Sequence, residues 1–98
     1  MQMKVITTAT SCHVVVSISV NGHFLISLRD NDEDTVDLLP GVEYRFEWHA
    51  VAGNGDGNFS IDAEVAPIND GFPRFHLDKQ LGSGERSDRL FLFTLKNL

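Results

Sequence analysis

Residues Val42–Ala52 read Val-Glu-Tyr-Arg-Phe-Glu-Trp-His-Ala-Val-Ala and alternate almost without fault. Val42, Tyr44, Phe46, Trp48 and Ala50 fall on one face, and Glu43, Arg45, Glu47 and His49 on the other. A period of two marks a half-buried β-strand, one face on a core and one in water. The stretch holds the only Trp and the only Tyr of the chain, so the core has to be built around it. Pro40-Gly41 sets its start and Gly53-Asn54-Gly55-Asp56-Gly57 its end. A chain organised by this segment is a sheet protein.

The rest of the sequence repeats the pattern. Met3–Thr8 reads as a first strand and Cys12–Val20 as a second, with Val14, Val16, Ile18 and Val20 on one face. Asn21-Gly22 is a strong hairpin signal, and Phe24–Leu28 is the returning strand. A plain two-residue turn would pair Val20 with His23 and leave Phe24, Ile26 and Leu28 on the wrong face. A slip by one pairs Val16 with Leu28, Ile18 with Ile26 and Val20 with Phe24, so burial calls for a longer turn or a bulge beside His23. Arg29–Asp37 carries Asp30, Asp32, Glu33, Asp34 and Asp37 and reads as a solvated loop leading into a short strand, Thr35–Leu39. Pro40-Gly41 suits a tight turn with glycine at positive φ. Asn58–Val65 alternates again, with Phe59, Ile61, Ala63 and Val65 inward. Ala66–Asp88 is the least regular part, with a short strand over Arg74–Asp78; Arg89–Leu95 is a last strand, apolar on both faces.

Seven or eight short strands with regular turn signals and no helical period predict one all-β domain over residues 1–98. The expected form is an antiparallel, immunoglobulin-like β-sandwich, with a barrel as the alternative. The succession strand, Asn21-Gly22, strand, acidic loop, Leu38-Leu39-Pro40-Gly41, aromatic strand resembles small immunoglobulin-like accessory modules of the PEGA type. In those modules a Pro-Gly turn before a Tyr- or His-bearing strand recurs.

Composition narrows the function. Net charge is −6, and the eight Lys and Arg are spread thinly, without a basic run, which argues against nucleic acid and anionic membrane as partners. No apolar run reaches the roughly 20 residues of a membrane span. One cysteine, Cys12, allows no internal disulfide. Asp30, Asp32 and Asp34 have the first three spacings of a calcium loop, but Thr35 and Gly41 stand where such a loop needs Gly and Glu. A solvated acidic loop is the simpler reading, and a calcium-dependent module the alternative. Cys12, His13, His23, His49 and His76 show no zinc spacing. No catalytic motif is present, and neither an enzyme nor a cofactor is expected.

These readings favour a non-catalytic binding or accessory module whose partner is a protein or a carbohydrate. An acidic inhibitor or immunity-type protein that blocks a basic partner is the competing class. The binding residues are sought in Ala66–Asp88, the longest and least polar connection. Phe72 and Arg74 are expected at its rim as exposed anchors, because aromatic residues and Arg dominate interface hot spots. Phe91 and Phe93 are expected beneath it, or beneath a second subunit of a homo-oligomer.

Overall fold

The computed structural model describes residues 1–97. Eight strands follow in order: β1 (Gln2–Thr10), β2 (Cys12–Val20), β3 (His23–Arg29), β4 (Asp32–Asp37), β5 (Glu43–Ala52), β6 (Gly57–Ala66), β7 (Phe75–Leu81) and β8 (Arg86–Thr94). They form two four-stranded sheets, β4-β1-β6-β7 and β3-β2-β5-β8, antiparallel at every pairing. Neither sheet closes on itself, so the architecture is the antiparallel β-sandwich that the alternation predicts.

Only β2–β3 and β6–β7 are joined within a sheet; the other five connections cross between sheets. Four crossings lie side by side at one end: Ser11, Asp30–Asn31, Gly53–Asp56 and Gly82–Glu85. Sheets pack about 10 Å apart, so a crossing of a few residues has to turn sharply. Each crossing carries one residue in the left-handed region: Ser11 (φ 57), Asp30 (φ 59), Gly55 (φ 102) and Gly84 (φ 72). Neighbouring crossings are then tied together. The Asn31 side chain accepts from Ala9 N at 3.1 Å and donates to Ala9 O at 3.2 Å. Asp30 N donates to Val14 O at 2.9 Å, and Val14 N donates to Asp30 Oδ1 at 3.1 Å. Gly84 N donates to Gly53 O at 3.0 Å, and Gly55 N to Ser83 Oγ at 3.1 Å. Between them Gly57 sits so close to the first crossing that a Cβ would lie 2.6 Å from Ser11 O.

β5 lies between β2 and β8, and its predicted face is buried: Tyr44, Phe46, Trp48, Ala50 and Ala52. Trp48 is 7% exposed and donates its indole N–H to Ser87 Oγ at 3.3 Å, the handle a buried indole needs. Its aromatic neighbours are Phe46, Phe75 and Phe91, with ring centroids 6.2, 5.4 and 6.5 Å away. Phe59 is fully buried, and Phe93 packs against Tyr44 with ring centroids 5.6 Å apart. Tyr44 Oη also accepts from Leu39 N at 2.8 Å, bracing the Pro40-Gly41 crossing.

Two expectations need correction. The hairpin does pair Val16 with Leu28 and Ile18 with Ile26, but it closes on Val20 and His23. The extra residue is absorbed in a bulge between Ile18 and Ser19, opposite Phe24–Ile26, which turns Phe24 out to 71% exposure. The acidic segment is not a loop: Asp32–Asp37 is an edge strand on β1. Charged side chains forbid a core position but not an edge hydrogen-bond ladder, where they discourage further pairing. On the edge strand β8, Leu90 and Leu92 share the outer face with Glu47 and Arg45 and stay exposed, while Phe93 shares the inner face with Tyr44 and is buried.

Thr7 faces inward from β1 at 1% exposure, and its hydroxyl has no hydrogen-bond partner among the described residues. Thr7→Val keeps the shape and removes the unpaired group, so it should raise unfolding free energy by about 1 kcal/mol. Trp48→Ala should lower it by about 3–5 kcal/mol. Gly57→Ala should lower it by about 1–3 kcal/mol by forcing two crossings apart. Urea unfolding followed by far-ultraviolet circular dichroism measures all three.

Candidate functional site

The segment between β6 and β7 is held by one side chain. Asn69 is 2% exposed; its amide nitrogen donates to Lys96 O at 2.8 Å, and its oxygen accepts from Lys96 N at 3.0 Å and Gly71 N at 2.9 Å. This presses Gly71 against the chain end of β8, where a Cβ would collide with the Thr94 carbonyl. Phe72 therefore turns inward. It is 4% exposed, and its ring packs 4.8 Å from Phe93 and 6.1 Å from both Phe46 and Phe91. The expectation of an exposed Phe72 anchor is thus corrected: Phe72 caps the core. Arg74 does stand in solvent, its guanidinium 3.2 Å from Asp62.

The four residues singled out from the sequence nevertheless meet. Phe72, Arg74, Phe91 and Phe93 line one cleft of about 330 Å³, together with Gly71, Pro73, Phe75 and Leu92. Phe91 is half-buried and lies nearly parallel to Phe46 at 5.0 Å. Phe75, in the short strand read over Arg74–Asp78, forms a further wall, 5.3 Å from Phe46 and 5.5 Å from Phe91. The cleft opens on the side of the sandwich where β7 and β8 are the sheet edges. Asn69, the residue that shapes it, looked like turn punctuation in the sequence; nothing local marks a bond to Lys96.

A second cluster lies on the outer face of the β5–β8 pair. His49 Nδ1 is 2.7 Å from Asp88 Oδ1, and Nε2 is 2.9 Å from Glu47 Oε2. Arg86 binds Asp88 through two nitrogens at 3.1 and 3.2 Å, and Arg45 Nε lies 3.3 Å from Glu47. The bonds to Asp88 and then Glu47 raise the His49 pKa above its ordinary 6.5. Those from Arg86 and then His49 lower that of Asp88. The cluster is a closed ladder of alternating charge with each group already partnered, and it offers no free base or nucleophile.

The three aspartates with calcium-loop spacing are engaged by backbone N–H groups. Asp30 is bound into its crossing, and its pKa is lowered chiefly by the Val14 N–H bond. Asp32 and Asp34 each accept from the next residue's backbone N–H at 2.8 Å. Among the described residues no three His, Cys, Asp or Glu side chains gather as metal ligands do. Cys12 donates its S–H to Asn58 O, while neighbouring His13 turns to Asp30. No protein-family model matches the chain, and no solved structure matches it significantly.

The ladder makes stability depend on pH. His49 binds its proton more tightly folded than unfolded, so its contribution is complete below pH 6.5 and lost as pH rises through its raised pKa. Asp88 has the opposite sign: its contribution is present above about 3.8 and lost as pH falls through its lowered pKa. The melting-temperature difference between the parent protein and His49→Gln should therefore be largest just below pH 6.5 and shrink under alkaline conditions. An NMR titration should place the His49 midpoint above its ordinary 6.5.

Proposed function

We propose that this domain is a non-catalytic binding module that engages a protein partner through the cleft beside β8. The observation that carries the reading is the cleft itself: an aromatic wall of Phe72, Phe75, Phe91 and Phe93 with the Arg74 guanidinium at its mouth. Apolar anchors rimmed by Arg are the side chains from which interface hot spots are built. A protein side chain suits it better than a sugar, because Phe rings offer no hydrogen bonds to hydroxyl groups. No nucleophile and base converge there, which supports a non-catalytic role.

A second reading is an acidic inhibitor acting from the opposite side. It is supported by β4, which exposes Asp32, Glu33, Asp34 and Asp37, with only Glu33 in an ion pair among the described residues, to Lys4 at 3.5 Å.

A photo-crosslinking residue placed at Arg74 or at Asp37, in cells of the native source, separates the two. Under the cleft reading the partner is captured from position 74 and not from 37, and its purified form binds Arg74→Glu at least tenfold more weakly, about 1.4 kcal/mol. Capture only from position 37, with binding that collapses in salt, would replace the cleft reading with the inhibitor. Equal binding by the parent and Arg74→Glu would sink the cleft reading.

A further inference from the structure

The two lateral sides of this sandwich complement each other, and we infer that the chain associates with copies of itself head to tail, the β7/β8 side of one copy against the β3/β4 side of the next. The inference rests on reading the β7/β8 side as the binding face, and it names the partner as a second copy.

Strand direction permits it without rotation. Each sheet has four antiparallel strands, so its two edge strands run in opposite directions. A copy displaced sideways puts β7 beside β4 and β8 beside β3, antiparallel at both seams. The alternation within each sheet simply continues into the next molecule.

The side chains match in the same register. Pairings through β2 and β5 place Phe24, Ser19, Arg45 and Leu92 in one cross-strand row. Phe24 is 71% exposed and Leu92 is 56% exposed, and they stand at opposite ends of that row. Sideways displacement sets one beside the other, and Leu92 is itself part of the cleft rim. In the other sheet Glu33, Ile6, Asp62 and His76 share a row, so Glu33 meets His76 of the next copy with Arg74 beside it. Asp32 lies in the row of Thr7, Ile61 and Leu77, and Lys79 is the next inward position along β7, within diagonal reach. Asp78 is the one acid on β7; its carboxylate already accepts from the Asn58 amide at 3.0 Å.

β4 against β4 sets carboxylate against carboxylate, the charge protection that edge strands use against self-pairing. The contact between unlike sides is heterologous; under pure displacement it does not close into a ring.

Sedimentation velocity and a pair of variants test this. The mass of the parent protein should climb with concentration past twice the monomer without a plateau, and fall when salt is raised. Phe24→Lys spoils one side and Leu92→Lys the other; both positions are exposed, so both variants should melt as the parent does. Each alone should be monomeric. Mixed in equal amounts they should form one species of twice the monomer mass, because the intact side of each fits the intact side of the other. A parent protein that stays monomeric or stops at a dimer, a single variant that still assembles, or a mixture that does not combine overturns the inference. A monomeric parent that still captures a foreign protein from position 74 removes self-association and leaves the binding reading standing. Absence of any capture there removes the binding reading itself.

Discussion

The structure depends on the lateral bonding of its crossings. A sandwich of two separate sheets needs connections, and here four of them are packed against one another at one end, joined by backbone amides and short polar side chains. Asn31 fixes the second crossing to β1, Gly57 lets β6 approach Ser11, and Ser83 with Gly84 holds the last crossing to Gly53. Small or polar residues at these places look like ordinary turn chemistry. Their real work is to let one crossing lie against the next.

The opposite end is built differently. There a single amide, Asn69, gathers Gly71 and Lys96, and the Tyr44 hydroxyl braces Leu39. What results is a recess walled by rings instead of a backbone seam. The candidate site lies at the end of the sandwich that side chains, more than main chain, hold in shape. Loops on a rigid scaffold are where binding surfaces commonly sit, and the division of labour between the two ends follows that rule.

Much of this was legible in the sequence. Alternation is a property of neighbouring residues, so β1, β2, β5, β6 and the buried face of β5 could be read directly. The pairing of Ile18 with Ile26 was legible because burial decides it. What could not be read was whatever depends on residues far apart. Asp32–Asp37 is equally acidic as a loop or as an edge strand, and only its ladder with β1 tells which. Leu90 and Leu92 are apolar whether or not anything covers them. The direction of the Phe72 ring was hidden because it follows from the bond between Asn69 and Lys96, 27 residues apart. The grouping of Phe72, Arg74, Phe91 and Phe93 was legible as composition of two segments, and their meeting at one cleft follows from β8 lying at the sheet edge.

The strand order also governs how the chain must acquire its shape. Only two pairings, β2 with β3 and β6 with β7, join sequence neighbours, and they belong to different sheets. All the others await a segment made later: β1 waits for β4 and β6, and β5 waits for β8. Such topologies fold in milliseconds to seconds, because loop closure precedes any reward from contact. Throughout that interval the aromatic face of β5 has no cover on one flank, a flat sticky ribbon of the kind that chaperones retain. Of the eight strands the last to arrive is β8, which borders that face, so the domain is at its most vulnerable until β8 pairs with β5.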